Sequence, residues 1–237
     1  MRKTDFFLVL PLALLATGCT SFTHNGSWSY SSDTGTFASS NSEIIEGSGK
    51  VKSETRKVKG FTSLSLTGMG RVILEQTGKD SLSVSTDDNL LPYLTSEVKN
   101  GRLTLGIKNN TSFNTHNEIT YRVTVRNLKE LNISGSGDID AKKIKTDKLV
   151  VVVSGSGTVT LQGEASSQEI NVSGSGSFDG ENLKCKTAKI DIAGSGSGVV
   201  HASEKLDANI SGSGSVEYLG NPTLTQDVSG SGSITKK

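Results

Sequence analysis

Few residues in this chain have side chains that could do chemistry, and most of them stand alone. Cys185 lies in "NLKCKTAKI", in phase with Leu183. That phase fits a small buried apolar side chain. A nucleophilic thiol would want a histidine partner, but His24, His116 and His201 are scattered and sit in no recognisable motif. The carboxylates to weigh are Asp87-Asp88 and Asp138 with Asp140. Calcium-binding β-rolls repeat an Asp in every turn. Here the positions equivalent to Asp138 are Thr158, Ser177, Ser197, Ser215 and Ser233, so a calcium ladder fails. Asp138 and Asp140 are expected on a solvated outer face, and Asp87-Asp88-Asn89 as a cap on the turn into "LLPYL". Glycoside chemistry needs two carboxylates facing one groove. Arg71, Arg102, Arg122 and Arg126 all fall in the earlier half, and no convincing acidic pair assembles with them. No catalytic residue, metal site or cofactor is expected.

Cys19 is different, because its surroundings specify a reaction. Arg2-Lys3 precedes an apolar run from Phe6 to Ala16, and Leu15-Ala16-Thr17-Gly18-Cys19 follows. A basic start, an apolar stretch of about 11 residues and small residues at its end mark an export signal. The stretch is too short for a spanning helix, which needs about 20 apolar residues. A small-residue run ending in Cys resembles a bacterial lipobox, although Ala16 stands where Leu is commoner. The expectation is a lipoprotein signal peptide over 1–18 and lipidation of Cys19. More than one acyl chain is what stable anchoring requires. The plainer reading is a secretory signal cut nearby, with Cys19 incidental. Thr20 follows the Cys where an Asp would mark inner-membrane retention. In a cell with two membranes the expected address is the outer one.

Charge narrows the partners. Removing Arg2, Lys3 and Asp5 from 25 basic and 24 acidic residues leaves a net charge of zero. No long basic block exists, which argues against nucleic acid and against attraction to anionic headgroups. A membrane link would then come from the acyl chains on Cys19.

These residues need elements to position them. Residues 19–45 are rich in Ser, Thr, Asn and Gly and carry no apolar period. Such a segment buries too little to offset its ordering entropy, so it reads as a tether. Residues 46–237 are long enough for one domain with a sizeable core. Within them S-G-S-G begins at Ser134, Ser154, Ser173, Ala193 (as A-G-S-G), Ser211 and Ser229, at spacings of 20, 19, 20, 18 and 18. A period near 19 marks a solenoid whose turns cannot bury their apolar faces alone. The apolar residues alternate with period two, which excludes helical repeats.

Parity runs through the tetrapeptides without slipping. Val151, Val153, Gly155, Gly157, Val159 and Leu161 share one face, and the other copies repeat the pattern. An earlier copy, "LSLTGMGRVIL", aligns Leu64, Leu66, Gly68, Gly70, Val72 and Leu74 in the same phase. The expectation is an all-β parallel β-helix with coils of about 19 residues. Its inward structural glycines would be Gly68, Gly70, Gly135, Gly137, Gly155, Gly157, Gly174, Gly176, Gly194, Gly196, Gly212, Gly214, Gly230 and Gly232. The serines between them would face out, as rows able to bind sugar or to serve only as a solvated wall. "DDNLLPYLTSEVKNG" breaks the pattern and reads as a loop or one helical turn, with Gly101 closing a hairpin-like bend.

From about Gly49 to Lys237 the chain resembles the auto-transporter adhesins with a head GIN domain. The resemblance rests on "SETRKVKGFTSLSLTGMGRVIL", "STDDNLLPYLTSEVKNGRLTLGI", the repeated "SGSG" and "YLGNPTLTQDVSGSGSITK". It implies a right-handed parallel β-helix in bacterial secreted or surface proteins, often lipoproteins. It implies no established activity and carries over no catalytic residue. The expected function is a lipid-anchored envelope protein serving as a non-catalytic adhesion, surface or structural interaction module. Its partner would be an envelope polysaccharide or protein. The alternative is a carbohydrate-binding or carbohydrate-active protein on the same scaffold.

Overall fold

The computed structural model describes residues 44–237 and, before them, the backbone of Ser27–Tyr30 (β1) and Phe37–Ser40 (β2). Cys19, the expected signal peptide, His24 and most of the expected tether lie outside the described residues. The chain divides into two units, Met1–Ser42 and Glu43–Lys237. In the first, β1 and β2 pair antiparallel, a regular ladder where the sequence suggested none. The second begins with β3 (Ile44–Glu46), so a domain start at 46 cuts this strand at its last residue.

After β3 come β4 (Val51–Arg56), β5 (Ser63–Gly68), β6 (Arg71–Gln76) and β7 (Ser81–Asp87). A single 3-10 turn, Leu91–Tyr93, leads to β8 (Leu94–Lys99), β9 (Arg102–Ile107), β10 (Ser112–Asn114) and β11 (Thr120–Val125). Then the regular part starts: β12 (Glu130–Gly135), β13 (Asp138–Gly155), β14 (Thr158–Gly174), β15 (Ser177–Gly194) and β16 (Ser197–Gly212). It closes with β17 (Ser215–Leu219), β18 (Thr223–Gly230) and β19 (Ser233–Lys236). No α-helix occurs among the described residues.

Each of β13, β14 and β15 is one solenoid turn, hydrogen-bonded in parallel to the next. Pairing lapses at Lys142-Lys143 and again at Asp147, which divides the turn into three straight sides. The SGSG corner joins the third side to the first of the next coil. On one wall Leu64, Leu131, Val151, Ile170 and Ile190 stack in register. All five are fully buried. Each such side chain contributes about 1.5–3 kcal/mol, and no single coil could bury its own.

Chain order and stacking order differ at one place. β5 and β6 lie between the layer of β9 and β11 and the layer of β12 and β13. The early "LTGMG" corner therefore stacks directly on the first SGSG corner, Gly68 opposite Gly135. Beyond the layer of β9 and β11 the only parallel pairing among the described residues is the short one of β3 with β10. β7 and β4 continue one wall antiparallel, and β8 continues the other. β8 and β9 join through Asn100 and Gly101, both with positive φ. An Asn-Gly pair suits a two-residue hairpin, so the bend expected at Gly101 is a true hairpin.

Candidate functional site

The glycines come first, because they shape the surface. The chain turns at the first glycine of each corner, from Gly68 to Gly230, with φ between +102 and +131°. A side chain rarely adopts that conformation. The expectation that both glycines of a pair face inward is corrected here. Gly155 and Gly174 are exposed, and it is the second glycine, as at Gly137, Gly157, Gly176, Gly196 and Gly214, that is buried; at the two end corners Gly70 and Gly232 are half-buried. The corner turns at the first glycine, which takes it off the inward row. The second glycine sits inside because a Cβ would have no room. At Gly176 it would lie 2.5 Å from Val153 Cγ1 and 2.8 Å from the Gly157 carbonyl oxygen. The serine between them is exposed, and its N–H donates to the coil before: Ser175 N to Gly155 O is 2.9 Å.

The candidate carboxylates do structural work. Asp87 is fully buried. It accepts from Thr115 Oγ1 (2.9 Å), the N–H groups of His116 (2.9 Å) and Asn117 (3.3 Å), and Asn117 Nδ2 (2.6 Å). Burial pushes its carboxyl up, but these hydrogen bonds outweigh that and hold it at about 2. It does not cap the 3-10 turn, which has no side-chain cap. A buried carboxylate is satisfied here by the donors of residues 115–117. Asp88 accepts from Ser48 Oγ at 2.5 Å, and Asn89 ties Ser48 to Glu46. Asp140 pairs with Arg71 at 2.6 Å, and Arg102 with Glu130 at 2.7 Å, both on the outer walls. Asp138 accepts the Thr158 N–H. No cluster of three potential metal ligands exists among the described residues.

Cys185 is 6% exposed. Its Sγ lies 3.2 Å from both Gln168 Nε2 and the backbone oxygen of His201. Burial pushes the thiol up to about 11, with the Gln168 bond pulling weakly the other way. The His201 ring faces the Glu181 carbonyl oxygen instead. A thiol so raised, whose partner is a carbonyl and not an imidazole, is no nucleophile.

A concavity lies over this cysteine. It encloses about 730 Å³ on the second side of the solenoid turns and runs across successive coils. Thr146, Ala165, Cys185 and Ala202 occupy one register column. Ala165, Cys185 and Ala202 are small and buried, which leaves the surface hollow above them. One rim is the column Lys145, Glu164, Lys184 and His201. The other carries Asp147, Ser166, Lys186 and Ser203, and Thr62, Asn127 and Lys129 close one end. Sequence reasoning missed this groove. Its signal is a polar-small-polar triplet at one phase of the repeat: "KTD", "EAS", "KCK" and "HAS". A smaller concavity of about 360 Å³ lies on the wall that holds Asn171, Asp191, Asn209 and Asp227. There Asn209 Nδ2 donates to Asp191 at 2.7 Å.

These observations define a parallel β-solenoid with polar rows and a groove that crosses its coils. The chain belongs to the family described as "Putative auto-transporter adhesin, head GIN domain", whose pattern matches residues 60–222. Three solved structures share the fold. A protein of Bacteroides fragilis named "putative adhesin" is 25% identical, with a TM-score of 0.69 over 81% of this chain and 100% of its own. One of Parabacteroides distasonis named "putative lipid binding protein" is 27% identical, with a TM-score of 0.57 over 82% and 100%. A second P. distasonis protein, a "putative adhesin", is 20% identical, with a TM-score of 0.53 over 82% and 100%. No curated protein matches the chain.

Proposed function

We propose that this is an envelope protein anchored through lipid on Cys19, and that its solenoid binds an extracellular partner without catalysis. One observation carries the reading: in-register stacking repeats polar side chains on successive coils, as in Asn171, Asp191, Asn209 and Asp227. A repeating surface suits an extended or repeating partner. Hydrolysis would need a carboxyl kept protonated by burial or by a like charge. Asp147 and Glu164 in the groove are exposed and flanked by lysines. The lipid-binding name of one similar protein points toward the membrane. In this chain the solenoid interior is filled by its own side chains, so a lipid would be carried outside it, at the anchor.

The test replaces Cys19 with Ser in the full chain expressed in a bacterial host that processes lipoproteins. Labelled palmitate should enter wild type only, and the variant should move from the membrane to the soluble fraction. Equal labelling and equal membrane retention would overturn the anchor.

A further inference from the structure

We propose that the groove over Ala165 and Cys185 binds a linear anionic polysaccharide, such as a polyuronate, laid along the solenoid axis. The proposal rests on the binding role argued above and names its ligand class. Four features carry it.

The groove crosses the coils, from Lys129 past Lys145, Glu164 and Lys184 to His201. At about 4.8 Å per coil its length is roughly 19 Å. That shape admits a chain and excludes a flat membrane surface.

Its cations are unspent. Lys129, Lys145 and Lys184 make no ion pair among the described residues, and Lys186 reaches Glu204 only at 3.9 Å. On the neighbouring wall the lysines are engaged: Lys148 with Glu169 at 3.0 Å and Lys189 with Asp191 at 2.8 Å. Against the four groove lysines stand two carboxylates, Asp147 and Glu164. The groove is therefore net positive in a chain of formal charge +1.

Two of these cations are aligned along the axis, with Glu164 between them. Lys145 and Lys184 share one register column two coils apart. That separation is roughly 10 Å, and a charge repeated at that interval matches a polymer whose charge also repeats.

The lining bears hydroxyls and ammonium groups but no Phe, Tyr or Trp. The stacking platform that commonly covers the apolar face of a neutral sugar is therefore missing from the lining. Here recognition falls to charge and hydrogen bonds, with Ser166 as a donor beside the lysines; the Ser203 hydroxyl already donates to the Cys185 carbonyl oxygen at 3.2 Å.

The experiment measures binding of the purified full chain to polygalacturonate, to dextran as the neutral chain, and to vesicles of anionic phospholipid. The variants are Lys145→Glu with Lys184→Glu, and Lys52→Glu with Lys99→Glu as an equal charge change on exposed sites away from the groove. Wild type should bind polygalacturonate in a salt-sensitive way and leave dextran unbound. The groove variant should bind at least about tenfold more weakly, and the control pair should match wild type. Equal weakening by both pairs would overturn the site. Dextran binding as strong as polygalacturonate, vesicle binding without polygalacturonate binding, or no binding at all would overturn the ligand class. Each outcome is read without reference to Cys19 labelling, so failure here is distinguishable from failure of the anchor.

Discussion

At the scale of the residue, the paired glycines of a corner have different jobs. Gly174 supplies a φ of +102°, and Gly176 supplies the absence of a Cβ against Val153. Ser175 between them faces solvent. Gly176→Val must therefore push apart two coils, an overpacking cost of about 1–3 kcal/mol or more. Ser175→Val touches only the outer surface, where changes stay within about 0.5 kcal/mol. Thermal unfolding of both variants checks this: the midpoint should fall clearly for the first and hardly move for the second. Equal shifts would mean that the corner is not closely stacked. The sequence already displayed the glycine phase, because a two-residue period is countable. It did not display which glycine turns the corner, because φ is a property of the closed coil and both positions share one parity. Asp87 was illegible for a related reason. Its donors lie 28 to 30 residues away, and nothing local announces them.

At the scale of the element, the layer of β5 and β6 explains why the fold was more legible at its C-terminal half. From β13 onward sequence neighbours are also stacking neighbours, so each repeat could be read off the last. The earlier layer is separated from its partner β12 by the excursion through β7 to β11. Only the shared phase of Leu64, Leu66 and Gly68 hinted that it belonged to the same stack. The excursion itself, with two antiparallel ends, has no repeat to count. This layer bridges the cap and the regular coils, with Leu66 fully buried beneath Gly137. Leu66→Ala should cost about 2–5 kcal/mol. Because each coil is stabilised by its neighbours, the loss should propagate both ways. Amide exchange should quicken in β9 and β11 on one side and in β12 on the other. Faster exchange confined to 63–76 would show that the layer is an appendage and not a bridge.

At the scale of the whole solenoid unit, the two ends are unlike. At the first, outer strands β8 and β4 run antiparallel to their neighbours, and Arg56 fastens them together. Its guanidinium donates to the carbonyl oxygens of Leu94 at 2.7 Å and Leu91 at 2.8 Å. Apart from the short parallel pair of β3 and β10, that end presents antiparallel strands, unlike the parallel walls of the regular coils. The other end does offer a parallel edge. β18 and β19 carry no strand on their outer side among the described residues, and Val228 is 38% exposed there. Open edges invite pairing unless charged side chains guard them. Lys236 and Lys237 stand at this edge. Lys236 Nζ reaches Asn221 at 3.3 Å, and Lys237 Nζ pairs with Glu181 at 2.8 Å, both in exposed settings. Wild type should therefore stay small in solution. If both lysines become Val, the released edge should pair with the same edge of a second copy, since the other end presents no matching stack of parallel walls. A two-fold contact of that kind closes on itself. Light scattering should then show a dimer that does not grow with concentration. Filaments in the variant would mean that the Arg56-bound end also accepts strands, and filaments in wild type that the lysines guard nothing.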